Sequence, residues 1–225
     1  WSTAAVNDTA SVLLKRGVAT VDTLASTANT ATETDTDVTP FTANVGETLN
    51  LSETLGGANA GQYTATLACD NSVTVGGTGD FVVPATATNC TVTNTRKTTT
   101  ITLKKAWSAA AISDTASVIL KRGAATVDTL ASTADTATET DTDVTPFTAN
   151  VGETLNLSEI LSGGNAGQYT ATLACDNSVT VGGTGDFVVP ATTTNCTVTN
   201  TRKTTTITLK KAWSAAAISD TASVL

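Results

Sequence analysis

The 225-residue chain has no histidine, no methionine and only four prolines, and its aromatic residues make up 4%. Without histidine, no Ser–His or Cys–His pair can activate a nucleophile, and zinc loses its usual nitrogen ligand. The four cysteines fall two to a repeat, which without histidine leaves too few donors for a tetrahedral zinc centre. Charged residues make up 14%, well under the roughly 25% of an ordinary soluble chain. The net charge of −8 excludes a nucleic-acid reader that works by neutralising phosphates, and it disfavours an anionic membrane surface. No apolar run is long enough for a membrane span, so no membrane insertion is expected in this stretch; a secretion signal would lie outside it. Gly76-Gly-Thr-Gly79 lacks the strand–helix context of a phosphate loop, and no cofactor is expected. These absences argue against an enzyme.

Threonine, valine and alanine fill the space left over, as in Thr30-Ala-Thr-Glu-Thr-Asp-Thr-Asp37. β-Branched residues suit a pleated, half-buried surface, which favours strands over helices. The text is also repeated. Trp1, Trp107 and Trp213 each open Trp-Ser-(Thr/Ala)-Ala-Ala, a step of 106 residues, and about ten positions differ between the first two copies. The polar, basic connection Asn94-Thr-Arg-Lys-Thr-Thr-Thr100 recurs as Asn200–Thr206 and reads as the linker. The repeat unit is therefore placed at 98–203. On that division residues 1–97 form a repeat lacking its first strand, and residues 204–225 open the next. A continuous longer polypeptide is the simplest origin of this pattern.

Strict alternation marks half-buried strands. Ile101, Leu103, Lys105 and Trp107 share one face of their segment; Leu155, Leu157 and Glu159 share another. Tyr169–Cys175 and Cys196–Asn200 alternate with threonine outward, and Ser117–Lys121, Thr126–Leu130, Phe147–Val151 and Asp186–Val189 are further candidates. Arg122-Gly123, Gly163-Gly-Asn165 and Gly182-Gly-Thr-Gly185 supply turns. Ala109–Ile119 could be a short helix. About seven short strands per repeat predict all-β, tandem, Ig-like sandwiches. Cys69 with Cys90, and Cys175 with Cys196, are equally spaced at inward parity, which reads as one disulfide per repeat and an oxidising compartment. The alternative is a pair of buried thiols.

Lys105, Glu159 and Asn200 each end an apolar row, and burying any one alone costs several kcal/mol, so the three are expected to meet. In a dry interior, desolvation lowers the lysine pKa and raises that of the acid. A neutral amine can then attack the carboxamide, ammonia leaves, and an amide crosslink remains. An ordinary hydrogen-bonded set is the competing reading.

Ile101-Thr-Leu-Lys-Lys105, Leu157-Ser-Glu159 and Val198-Thr-Asn200-Thr resemble the SpaA-like (CnaB-type) prealbumin-fold repeat domains of bacterial surface adhesins and pilins. That resemblance implies a prealbumin-like β-sandwich whose first and last strands lie side by side. It also implies a Lys–Asn isopeptide bond, with Lys105 as donor, Asn200 as acceptor and Glu159 as catalytic acid. Glu53 and Asn94 match in the first copy; their lysine lies upstream of Trp1, and Lys211 is its counterpart in the last segment. Lys104 is a rival donor. Trp107 stands where the family usually has Asp, and disulfides are not typical of isopeptide-bearing members.

Glu33, Asp35 and Asp37, repeated as Glu139, Asp141 and Asp143, share a face and form a weak calcium candidate. A solvated acidic edge is the plainer reading. One tryptophan per repeat could stack on a sugar, or anchor a core. The function expected is structural: a repeat of an extracellular, bacterial cell-surface stalk or filament. The alternative is a tandem ligand- or glycan-binding module for a host or surface ligand. Neighbouring copies of the repeat are the expected partners, with residues 207–213 able to complete 1–97 by donor-strand addition.

Overall fold

The computed structural model describes residues 1–56, 59–165, 167–215, 219 and 221–223. The larger part of the strand structure lies in residues 98–202. There β7 (Thr98–Ser108), β8 (Thr115–Arg122), β9 (Ala125–Thr133), β10 (Thr138–Thr142), β11 (Phe147–Asn150), β12 (Thr154–Leu161), β13 (Tyr169–Cys175), β14 (Asp186–Val188) and β15 (Thr194–Arg202) follow one another. One sheet has the order β10-β7-β15-β13, with β11 pairing the other end of β7; the second is β14-β12-β8-β9. β7 and β15, first and last, lie side by side in parallel, while the other pairs in this half are antiparallel.

The period-2 pattern decides which faces meet. On β7 every second residue is buried, and β8 alternates likewise. Ile101, Leu103, Cys196 and Val198 of one sheet pack against Val118, Leu120, Leu155, Leu157 and Phe187 of the other, forming the main core. A smaller cluster of Trp107, Ala110, Ala116, Ala134 and Tyr169 closes one end. The β12–β14 pair requires glycine at 185. Its φ is +91°, and a Cβ there would stand 2.1 Å from the Leu157 carbonyl oxygen, which no side chain can do.

Residues 1–96 repeat the plan with fewer strands: β1 (Thr9–Arg16), β2 (Ala19–Thr27), β3 (Thr48–Leu55), β4 (Tyr63–Cys69), β5 (Asp80–Val82) and β6 (Cys90–Arg96). The sheet β2-β1-β3-β5 matches β9-β8-β12-β14, but its partner is only the β4–β6 pair. Among the described residues no equivalent of β7 lies on β6. One parallel bridge, Ser2 to Thr95, stands in the register of Ser108 to Thr201.

The halves meet end to end through a short contact. Arg96 at the end of β6 is buried, and its Nε and Nη2 donate to the Val151 carbonyl at 3.1 and 2.9 Å. The Val151 N–H donates to the Lys97 carbonyl at 2.9 Å. Gly152, at φ +80°, comes so close to Gln62 that a Cβ would lie 2.4 Å from it. A side chain at 152 would have to push the tip of Gln62 aside and would be strained at this φ.

Three expectations change. Among the described residues the second half has nine strands rather than about seven. Ala109–Ile119 holds no helix: Ala109 and Ser113 take left-handed φ of 54° and 73°, the Tyr169 hydroxyl accepts the Ala111 N–H at 3.1 Å, and β8 begins at Thr115. The acidic segment at 138–142, expected as an edge, is the edge strand of its sheet, paired with β7. On β13, the edge strand of its sheet, Ala171 is exposed, while Tyr169 is buried and Leu173 and Cys175 are half-buried against the main core.

Candidate functional site: a buried lysine, glutamate and asparagine

Lys105 is the most unusual side chain in the molecule. β7 alternation turns it inward between Leu103 of the main core and Trp107 of the end cluster, and it is 0% exposed. Glu159 reaches it from β12 in the opposite sheet, Asn200 from the neighbouring β15. Lys105 Nζ lies 3.4 Å from Glu159 Oε1. Asn200 Nδ2 donates to the same oxygen at 2.9 Å. The remaining capacity of the ammonium goes to the Ala106 carbonyl at 2.9 Å and to the face of the Trp107 ring, 3.9 Å from its centroid. The three polar residues form one layer between two apolar clusters, so each depends on the others for its desolvation.

Burial pushes the Lys105 ammonium below its ordinary value, with Glu159 and then Asp141 pulling the other way. Asn200 Oδ1 is buried without a hydrogen-bond partner. Lys104 points to the other face of β7 and is half-buried, so it does not join this layer.

Asp141 is a member that the residue pattern did not suggest. It stands opposite Lys105 in the β10–β7 register and accepts from Ser132 Oγ at 2.5 Å, while Trp107 Nε1 donates to that hydroxyl at 2.8 Å. Its signal was the alternation of Glu139, Asp141 and Asp143, which marks a strand with a half-buried acidic face. As a calcium site that set fails. Among the described residues no cluster of three His, Cys, Asp or Glu could hold a metal. Glu139 accepts the Asp135 and Thr136 N–H groups, and Asp143 caps Thr145. In the first half Glu33 caps Asn29 and Thr30, and Asp37 caps Thr39; Asp35 joins neither.

The first-copy set is only partly assembled. Asn94 donates to Glu53 as Asn200 does to Glu159, and Asn94 Oδ1 is likewise buried and unpartnered. Burial raises the Glu53 carboxyl above its ordinary value, and the Asn94 bond partly offsets this. Lys211 is not with them. It is exposed, with its Nζ over the Trp213 ring at 4.4 Å. The layer therefore lacks its amine in the first half.

Cys175 and Cys196 face each other across β13 and β15, and Cys69 and Cys90 across β4 and β6; both pairs are disulfide-bonded with Cα–Cα separations of 4.0 Å. Each bridge ties neighbouring strands of one sheet. Trp107 is 1% exposed and meets Tyr169 edge to face at 5.4 Å, so it anchors the core and offers no platform to a sugar.

No model of a known protein family matches the chain, and no curated protein sequence matches it. Among solved structures it is similar to the major pilin protein (T-13) from Streptococcus pyogenes, at 13% identity and a TM-score of 0.39, over 88% of this chain and 91% of that one.

Proposed function

We propose that residues 98–203 are the repeating unit of an extracellular bacterial surface stalk or filament, of the SpaA-like kind. In this reading the Lys105–Glu159–Asn200 layer is a self-made crosslink and not a site for an external substrate. One observation carries it: a fully buried lysine lies 3.4 Å from a carboxylate that also holds the asparagine of the adjacent strand. A half-turn of the Asn200 carboxamide brings Oδ1 to Glu159, which donates to it once protonated and so polarises the carbonyl. The neutral Lys105 amine attacks Cγ. The Nζ–Cγ bond forms and the Cγ–Nδ2 bond breaks. Glu159 carries the proton lost by Nζ to the departing nitrogen, and ammonia leaves. The product ties the first strand to the last. With the disulfide it leaves little of the unit free to extend under load.

Intact mass of the purified chain, before and after reduction, tests this. A mass lower by one ammonia is expected, with two hydrogens gained per bridge on reduction, and Glu159→Ala should restore the ammonia. A wild-type mass equal to that of the sequence would refute the crosslink. The ligand-binding alternative has no observation in its favour, since the one candidate sugar platform of this unit is buried.

A further inference from the structure

Two carboxylates stand around the buried Lys105. Asp141 is directly opposite it in the β10–β7 register, and alternation puts both side chains on the inward face. Opposite charges so placed on neighbouring strands ordinarily pair. Here they do not. Among the described residues the ion pair of Lys105 is with Glu159 of the opposite sheet, at 3.4 Å.

The Ser132 hydroxyl accounts for the difference. It comes from β9, at the edge of the opposite sheet, and is buried. Trp107 Nε1 donates to Oγ at 2.8 Å, which leaves the hydroxyl hydrogen for Asp141 Oδ2 at 2.5 Å. Asp141 is thus tied through Ser132 to the indole edge of Trp107, while the face of that ring lies over Lys105 Nζ, 3.9 Å from its centroid.

Which carboxylate holds the ammonium decides what the amine can do. Glu159 touches both reacting groups, the amine at 3.4 Å and the Asn200 amide nitrogen at 2.9 Å. A proton passed from Nζ to Glu159 is already beside the nitrogen that must leave. Asp141 is on the wrong side. The sheet order is β10-β7-β15, so a lysine turned toward Asp141 points away from Asn200.

We propose that Ser132 is a positioning residue for the Lys105–Asn200 crosslink: it ties Asp141 back, so that the lysine pairs with the carboxylate that also holds the asparagine. This rests on the crosslink reading above, in which Nζ–Cγ forms, Cγ–Nδ2 breaks and ammonia leaves. Without the hydroxyl, the freed Asp141 draws the ammonium toward β10, and a carboxylate so close favours the charged amine over the neutral nucleophile. The other acids nearby are engaged elsewhere. Glu139 accepts from the Asp135 and Thr136 N–H groups, Asp143 from Thr145, and Asp114 from the Tyr169 hydroxyl. On β9, burial raises the Asp128 carboxyl, and Asp143 adds to this. β8 and β15 bring only the uncharged Ala116, Val118 and Val198 to these clusters.

The full chain, synthesised without cells, taken at once into urea and refolded by dilution across a pH series, tests the proposal. Intact mass follows the loss of ammonia with time, and circular dichroism shows that each variant folds. Ser132→Ala should lose ammonia about tenfold more slowly than wild type at neutral pH, with its rate profile displaced to higher pH. Adding Asp141→Asn removes the rival charge and should restore the wild-type rate, whereas a role in packing alone would make the double variant slower still. Asp141→Asn by itself makes the same test if Ser132→Ala does not fold. Its amide oxygen still accepts from Ser132, and the profile should move to lower pH, since one support of the ammonium is gone. A Ser132→Ala rate equal to that of wild type overturns the proposal, as does a slow rate that Asp141→Asn leaves slow. So does an Asp141→Asn profile that stays in place or moves up. A wild-type chain that keeps its full sequence mass overturns the crosslink reading itself, and this inference with it.

Discussion

The halves of the molecule are nearly the same text folded to different degrees. Val118 and Leu120 are 0% exposed, while the identical Val12 and Leu14 are half-buried. Thr138–Thr142 and Phe147–Asn150 are strands β10 and β11, while the same sequences at 32–36 and 41–44 form none. None of the substitutions between copies falls on these residues. What differs is β7. It supplies the backbone partners of β10 and β11, and its inward row covers the opposite sheet. Strand propensity is thus permissive here, and the presence of a pairing partner decides.

The sharpest way to break this comparison is through the polar layer. Lys105→Ala leaves Glu159 uncompensated between two apolar clusters and should cost at least about 3–5 kcal/mol of second-half stability. Glu53→Gln should cost the first half much less, since no lysine depends on it. Urea unfolding followed by tryptophan fluorescence reads both. A Lys105→Ala loss within the roughly 0–1 kcal/mol of an exposed pair would mean that the layer is wet, and the difference between halves would vanish.

Cavity formation is the next lever. Leu120→Ala removes a residue enclosed on every side and should cost about 2–5 kcal/mol. Leu14→Ala, at the same position in the open half, should cost clearly less, because water already reaches it. Equal losses would show that Leu14 is as enclosed in solution as Leu120.

The disulfides should ignore the comparison. Both close loops of sequence separation 21, and in the chain-entropy model the gain comes from the unfolded chain, about 3 kcal/mol each. Reducing either bridge, or Cys69→Ala set against Cys175→Ala, should therefore lower both halves alike. A larger loss in one half would locate the effect in the native sheet.

Much of this was legible in the residues. Parity alone placed Lys105, Glu159 and Asn200 on inward faces, and period-2 alternation put β7, β8, β12 and β15 at the right segments. The acidic edge at 138–142 was legible in its alternation, but the pairing of Asp141 with Lys105, which leaves its carboxylates half-buried, was not. Nor was the turn at Ala109–Ser113, since alanine-rich text favours a helix and the left-handed residues there carry no glycine. The Arg96–Val151 junction was hidden in a segment that looked like linker, where a buried arginine has no periodic signature.

The smallest effect is also the most specific to the open half. Burial raises the Glu53 carboxyl above its ordinary 4.5, so between that value and the raised one the folded chain holds a proton that the unfolded chain has released. Stability then declines as pH climbs through this window and is regained below it. The measurement is the urea midpoint of the first-half transition against pH, which should lose its slope in Glu53→Gln.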